Sequence, residues 1–351
     1  MKSILITGGC GFIGSHTCLS LLKSKYNLIV IDSNINSSDN VIEKIIQIGK
    51  LENVDYRNRI TFIKGDIRNI DLLNNIFSES IKNDSRIEAV IHLAGLKSVA
   101  KSFKEPLEYW DNNVMGSLSL LKIMSKFDCF TMVFSSSATV YELKNKGLLT
   151  EDSDLKPCNP YGETKLAVEK ILHDTYRSTN KNWRIINLRY FNPIGAHSTG
   201  LIGESPLGLP DNLFPFICEV AAKKVSTLNI FGDDWPTFDG TCIRDYIHVM
   251  DLADAHLSAL QFLFKNKPQI LSLNIGTGLG TSVLQLVNIF IKTNTCKVPI
   301  KFVDRRKGDL PFIVAENKLA KNILHWQPNR DLTQMCRDGW EWYQKNSSKS
   351  L

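Results

Sequence analysis

No stretch of the 351-residue sequence approaches the roughly 18 uninterrupted apolar residues that a membrane helix needs. The opening MKSILITGGC reaches a glycine turn within ten residues, so it is expected to be a buried strand and not a signal peptide. There is no C-x-x-C pair. The eight cysteines (Cys10, Cys18, Cys129, Cys158, Cys218, Cys242, Cys296, Cys336) are spread out, which argues against a zinc site or disulfide framework and for reduced thiols in the cytoplasm. A basic block is also missing. The formal net charge of +6 comes from lysines scattered among carboxylates, which suits a small anionic ligand and no nucleic acid. Internal repeats and low-complexity segments are absent, and only the polar tail after Tyr343 is expected to be disordered. With 43% hydrophobic and 22% charged residues, the chain has enough apolar material for a large core.

Apolar runs of strand length recur at Ile4–Thr7, Leu28–Asp32, Ile60–Asp66, Ala89–Ala94, Cys129–Ser137 and Trp183–Tyr190. Between most of them lie segments of helical periodicity: Ile13–Ser24, Val41–Lys50, Asp71–Ile81, Asn113–Met124 and Leu166–Tyr176. That alternation predicts an α/β fold, a doubly wound parallel sheet covered on both faces. After about residue 191 the sequence turns to Pro- and Gly-rich loops (192–211, 232–240) with short helices and short strands such as Leu273–Ile275 and Ile300–Val303. We therefore expect a nucleotide-binding domain over 1–190. A smaller α+β substrate domain is expected over 191–351, with the chain crossing between the two and a substrate cleft at their junction.

Thr7-Gly8-Gly9-Cys10-Gly11-Phe12-Ile13-Gly14 follows a strand and opens a helix, the context of a dinucleotide fingerprint. Gly8 would permit the tight turn, Gly11 the approach of a pyrophosphate, and Gly14 close helix–strand packing, while the helix start offers N–H groups to phosphate. A tight turn with no ligand is the alternative. Asp32 stands 18 residues after Gly14, where a carboxylate accepts from both ribose hydroxyls and repels a 2′-phosphate, favouring NAD over NADP. Asp66 with Ile67 ends the third run and is placed to hold the adenine edge. Ala94-Gly95 after the fourth gives the dinucleotide a path lined by small residues.

Tyr161 and Lys165 are four apart, which puts both on one face of a helix. An ammonium beside a phenol lowers the phenol pKa from about 10 towards neutrality, making a general base for a sugar hydroxyl. The pair follows Ser137 by 24 residues, and Ser137 and Thr139 close the fifth strand at the sheet edge where ligands bind in open α/β proteins. Ser137 and Thr139 are therefore expected to hydrogen-bond the reacting sugar oxygen. A structural role as strand-end hydrogen bonders is the competing reading. The absence of a histidine or cysteine nucleophile from this pattern favours hydride transfer over hydrolysis.

The segments TGGCGFIGSH, GDIRN, HLAGLKSVAKS, PLEYWDNNVMGSL, FSSSATVY, PYGETKLAVE, LRYFNPIGAH, DGTCIRDYIHVMDLADAH and RRKGDLP run in this order from end to end of the chain. Together they resemble the UDP-glucose 4-epimerases of the extended short-chain dehydrogenase/reductase family, whose nucleotide domain is a Rossmann fold. The resemblance implies NAD as cofactor, UDP-galactose and UDP-glucose as substrates, and a homodimer formed through helical faces at Pro106–Ser125 and Leu166–Tyr176. It makes Tyr161 the catalytic base, Lys165 its partner on the NAD ribose, and Ser137 the hydroxyl that orients the sugar oxygen. Beyond the residues above, it adds Phe12, Ile13, Leu93, Lys97, Asn112, Ser135 and Tyr190 to the cofactor site. For the nucleotide sugar it implies Lys97, Ser137, Thr139, Tyr161, Phe191, Asn192, Asn212, Leu213, Asn229, Phe231, Arg244, Arg306, Asp309 and Ile313. Two arginines suit a diphosphate, because guanidinium forks match its oxygens. The implied cycle removes the proton of the 4-hydroxyl to Tyr161 as the carbon-4 hydride moves to NAD. The 4-keto sugar then turns, and hydride and proton return on the other face.

Three features depart from the family pattern. Glu142 stands where many members have glycine, and the 141–160 loop is about one residue shorter than in bacterial relatives. Ile313 replaces a bacterial tyrosine or an animal cysteine at the position implied to control room for a 2-acetamido group, which bears on UDP-N-acetylhexosamine use. A 4,6-dehydratase or a uronate decarboxylase of the same family is the nearest rival. Relatives of the dehydratase type carry Asp-Glu after the active-site threonine, whereas Thr139 is followed by Val140-Tyr141. A non-catalytic NAD-binding scaffold is the rival from another class, and such proteins typically lose the tyrosine or the lysine.

Overall fold

The computed structural model describes residues 1–142, 147–178, 182–205, 210, 212–306 and 309–347. Parts of the 141–160 and 192–211 loops, Lys307 and Gly308 of the RRKGDLP segment, and the tail residues 348–351 lie outside them.

Among the described residues, thirteen strands follow in chain order: β1 (Ser3–Thr7), β2 (Asn27–Asp32), β3 (Ile60–Lys64), β4 (Ile87–His92), β5 (Thr131–Ser137), β6 (Arg184–Tyr190), β7 (Asn192–Ile194), β8 (Leu228–Phe231), β9 (Ile243–His248), β10 (Gln269–Ile275), β11 (Gly280–Ser282), β12 (Ile300–Val303) and β13 (Phe312–Ile313). Seven of them form one sheet in the order β10-β6-β5-β4-β1-β2-β3, every neighbouring pair parallel. β1 shows why. Its residues are buried on both faces, and with the side-chain period of two Ile4 and Ile6 join one core while Leu5 joins the other. The first core is closed by the helices Phe12–Lys23, Asn40–Leu51 and Val249–Lys265, the second by Ile70–Lys82, Gly116–Lys126 and Pro160–Ser178. The strand order reverses between β1 and β4, so the crevice at their carboxyl ends is the ligand site this topology offers.

Three expectations are corrected. The Leu273–Ile275 strand does not belong to the smaller C-terminal part: extended to Gln269–Ile275, it is the seventh strand of the main sheet, paired with β6 from Gln269↔Arg184 to Ile275↔Tyr190. The helix Val249–Lys265 makes this crossover by laying Leu252, Ala255, Ala259, Leu260 and Leu263 into the core shared with Leu19 and Leu22. The helix expected from Asn113 is preceded by a π-helical turn, Trp110–Met115, where Asn113 turns inward, and the α-helix proper is Gly116–Lys126. The C-terminal helix runs on past Tyr343 to Ser347, because Lys345 Nζ donates to the Thr199 carbonyl at 3.1 Å and Asn346 Nδ2 to that of Gly200 at 3.2 Å.

The remaining strands build the smaller part. β9 is its centre, flanked by antiparallel β11 and parallel β13, with β7 parallel on its own path, while β8 and β12 pair separately. Buried Asp245 on β9 accepts from the N–H and hydroxyl of Thr277 and from the N–H groups of Gly278 and Ala315, at 2.6–3.2 Å. One carboxylate thus ties β9 to two loops, and its four donors offset the desolvation that raises its pKa.

Candidate active site

The glycine turn sits where β1 meets β4. Gly8 has φ +72, and a Cβ there would stand 2.6 Å from the backbone nitrogen of Ala94; one on Gly14 would run into the Gly8 carbonyl. Gly11 is different: its Cβ would meet nothing closer than Gly8 O at 3.4 Å, so its missing side chain leaves space and does not relieve a packing contact. Gly11 caps Phe12–Lys23 without a side-chain hydrogen bond, and the first helical bond runs from Ser15 N to Gly11 O at 2.9 Å. The N–H groups of Phe12 and Ile13 therefore lie in the unsatisfied first turn of a helix. β4 is fixed to the turn by Leu93 N donating to Thr7 O (3.0 Å) and Ala94 N to Thr7 Oγ1 (3.2 Å).

Asp32 comes to this turn. Its carboxylate accepts from Cys10 N (3.0 Å), Asn34 N (2.9 Å) and Ser37 Oγ (2.9 Å), which fixes it at the end of β2. Asp66 is committed to a fork from Arg68, which holds its carboxyl below the usual range, while Ile67 packs beneath Gly116. Asn112 is half-buried and donates to Glu108. Its neighbour Asn113, absent from the sequence-based selection, is the buried one. Asn113 accepts from Leu96 N (2.8 Å) and donates to Leu96 O (3.1 Å) and Thr164 Oγ1 (3.0 Å), joining the Gly95 loop to the helix that carries Tyr161. Two adjacent asparagines cannot be told apart by sequence; the π turn decides which one faces inward.

Pro160–Ser178 presents Tyr161, Lys165 and Glu169 on one face, at i, i+4 and i+8. Lys165 Nζ donates to the Ser135 carbonyl at 2.7 Å and stands 5.9 Å from the Tyr161 ring centroid. Ser137 Oγ accepts from Thr139 N (3.2 Å) and Thr139 Oγ1 (3.0 Å), and Ser137 hydrogen-bonds Tyr161. Ser135 Oγ bonds the Tyr190 hydroxyl. The residues named at the end of β5 are thus brought together with the tyrosine and the lysine.

The pKa expectation is not met. Burial pushes the Tyr161 phenol up to about 12, with the Ser137 hydrogen bond opposing it, and pulls the Lys165 ammonium down to about 8. Lys165 spends its charge on a carbonyl, not on the phenol, so the spacing alone does not produce a neutral-pH base.

Behind β5 lies a network with no local sequence signature. Glu169 accepts from Ser136 Oγ and forms a buried ion pair with Arg189 at 2.6 Å. Arg189 also donates to Tyr141 OH (3.1 Å), and Tyr141 OH to Asn274 Oδ1 (2.6 Å) on β10. Asn274 N donates in turn to Glu151 Oε1 at 2.7 Å. The far sheet edge and the catalytic helix are therefore held by one polar chain, each member partnered.

On the nucleotide-sugar side, Arg244 on β9 donates to Leu310 O (2.8 Å) and pairs with Asp309 (3.5 Å). Arg306 stacks over Phe231, 3.8 Å from the ring centroid. Ile313 pairs in register with Arg244 and packs against the apolar cluster that holds Phe191, Ala138 and Val140. Asn192 on β7 and Asn229 on β8 are exposed, and Leu213 opens the helix Leu213–Ala221. Lys97 and Asn212 meet at a residue that the sequence did not single out: Lys97 Nζ donates to Glu204 Oε1 at 2.8 Å and Asn212 Nδ2 to the same oxygen at 3.1 Å.

A family model described as GDP-mannose 4,6 dehydratase matches residues 5–339. A UDP-glucose 4-epimerase of Neisseria meningitidis serogroup B is 47% identical over 349 residues, 99% of this chain and 98% of that one. UDP-glucose 4-epimerase 2 of Arabidopsis thaliana is 45% identical over 98% of this chain and 96% of its own length. The crystal structure of a Stenotrophomonas maltophila UDP-glucose 4-epimerase, with bound NAD and formylated UDP-arabinopyranose, superposes with a TM-score of 0.93 at 42% identity over the whole of both chains. Identity at this level over full length carries the order of motifs, the parallel sheet and the tyrosine–lysine helix together, and the chain belongs to the UDP-glucose 4-epimerase family.

Proposed function

We propose that this protein is an epimerase interconverting UDP-galactose and UDP-glucose, using NAD held along the Gly8–Gly14 turn, Asp32, the Ala94–Gly95 path and Lys165. The open space at Gly11 and the unsatisfied first turn of Phe12–Lys23 fit a pyrophosphate. Bound there, oxidised NAD supplies a hydride acceptor and a positive charge. The carrying observation is the grouping of Tyr161, Ser137 and Lys165 at the carboxyl end of β5. Tyr161 takes the proton of the sugar 4-hydroxyl and later returns it. Ser137, whose oxygen already accepts twice from Thr139, has its own proton free to donate to that phenolate or to the sugar oxygen. Arg244 and Arg306 anchor the diphosphate, and Phe231 and Leu213 wall the uridine. Ile313 and Phe191 bound the hexose loosely enough for a keto sugar to turn.

A dehydratase needs a carboxylate beside Thr139. Val140 and Tyr141 stand there, both buried, the tyrosine bonded to Asn274. The test is conversion of UDP-galactose, read by a UDP-glucose-specific dehydrogenase, in wild type and Tyr161→Phe. We expect conversion in the former and loss by a factor of at least ~10² in the latter. No conversion by the folded, NAD-loaded wild type would sink the assignment.

We also propose a homodimer. The face Phe103, Leu107, Trp110 and Met115 leaves large apolar side chains exposed, Leu107 by 82%, beside a cavity of about 380 Å³ walled by Pro106, Trp110, Pro157 and Pro160. No described helix is long and apolar enough to cross a membrane, and all eight cysteines are unpaired, which supports a cytoplasmic location.

A further inference from the structure

Lys97 and Asn212 come from different parts of the fold. Lys97 lies in the loop after β4 of the main sheet; Asn212 is the residue preceding the helix Leu213–Ala221 of the smaller part. Asn212 sits at the N-cap position yet makes no side-chain cap, because its amide reaches away to Glu204. The ammonium and the amide converge on one atom, Glu204 Oε1. The Glu204 side chain is only 10% exposed against 55% for Lys97, so the carboxylate is the sheltered member and the lysine the one free to swing. Glu204 follows Gly203, where a Cβ would stand 2.5 Å from the Trp342 indole; the segment is pinned against the C-terminal helix.

A cation and a neutral donor meeting on a single anionic oxygen is the arrangement a phosphate oxygen would receive. We propose that Glu204 is an internal stand-in for the substrate's diphosphate, an affinity-setting residue that occupies Lys97 and Asn212 and must give them up when the nucleotide sugar enters. This rests on the nucleotide-sugar reading of the site. Its physical basis is competition. A diphosphate that recruits Lys97 has to break the Lys97–Glu204 contact and then lie near a carboxylate stripped of its counter-charge, so part of the binding free energy is spent before any is realised. The gain from such a device is release: product leaves as Glu204 recaptures the two donors.

The experiment is calorimetric titration of UDP into four NAD-loaded proteins, wild type, Glu204→Gln, Lys97→Met and the double variant, alongside UDP-galactose turnover by wild type. Glutamine keeps the shape and removes the charge. We expect Glu204→Gln to bind UDP roughly three- to tenfold tighter than wild type, the range of a partly exposed charge contact. Lys97→Met should bind more weakly than wild type, and adding Glu204→Gln to it should recover much less than in the wild-type background, because without the lysine there is little left to release. Unchanged or weaker UDP binding by Glu204→Gln overturns the proposal, as does a gain that is undiminished in the Lys97→Met background. If wild type turns over UDP-galactose while either of those results is found, only the stand-in role fails. A wild type that neither turns over UDP-galactose nor binds UDP overturns the functional reading and this proposal with it.

Discussion

Burial displaces Tyr161 and Lys165 in opposite directions, the phenol up to about 12 and the ammonium down to about 8, since in each case the charged form loses water. The lysine shift has a stability consequence whose sign follows from proton counting. Between about 8 and its ordinary 10.5, the folded chain binds fewer protons at Lys165 than the unfolded chain, so stability rises with pH through that window, and below it the penalty is full. Lys165→Met removes this dependence. The difference in unfolding free energy between variant and wild type should move in favour of wild type from pH 8 to about 10.5 and stay flat from pH 6 to 8. Urea titrations at four pH values would show it, and a difference that is constant to pH 10.5 would place Lys165 in water. Activity of the variant should be lost throughout.

At the scale of the element, the start of Phe12–Lys23 separates a binding glycine from a packing glycine. Gly11→Ala adds a Cβ in ordinary contact and should cost stability no more than about 1 kcal/mol while weakening NAD retention. Gly14→Ala drives a Cβ into the turn backbone and should cost about 1–3 kcal/mol as well as NAD. Thermal melts with cofactor content measured on the same samples distinguish the two. The buried Glu169–Arg189 pair gives a second contrast. Arg189→Met leaves an uncompensated carboxylate and should destabilise by about 3–5 kcal/mol, whereas Arg189→Met with Glu169→Leu should recover a large part of that in urea unfolding. These elements also mark the limit of reading from sequence. Six strands, the glycine turn and the Tyr161–Lys165 spacing were legible because each is written locally, as a period or a motif. Asn113, Glu169, Arg189 and Glu204 were not, since their roles depend on partners as far as 107 positions away. The place of Gln269–Ile275 was hidden for the same reason: a short apolar run does not say which sheet it enters.

At the scale of the molecule, the apolar face at Phe103, Leu107, Trp110 and Met115 is a surface that an interface would cover. Leu107→Glu with Trp110→Lys should convert a dimer to a monomer in sedimentation analysis without lowering the melting temperature of the monomer, and a single monomeric species in wild type would refute the proposed assembly. The seventh strand has a different consequence, for synthesis. Because β10 pairs along the whole of β6, from Arg184 to Tyr190, the nucleotide-binding sheet has no finished edge until residue 275 has left the ribosome. During the interval a nascent chain carries the buried Ile185, Ile186 and Leu188 on a strand paired with β5 but open along its other edge, a template for another nascent chain on the same message. Cofactor capture, chaperone demand and the damage done by a premature stop codon are therefore all set by one late strand, and a chain ending between residues 191 and 268 should be found in aggregates and not as a free-standing cofactor-binding fragment.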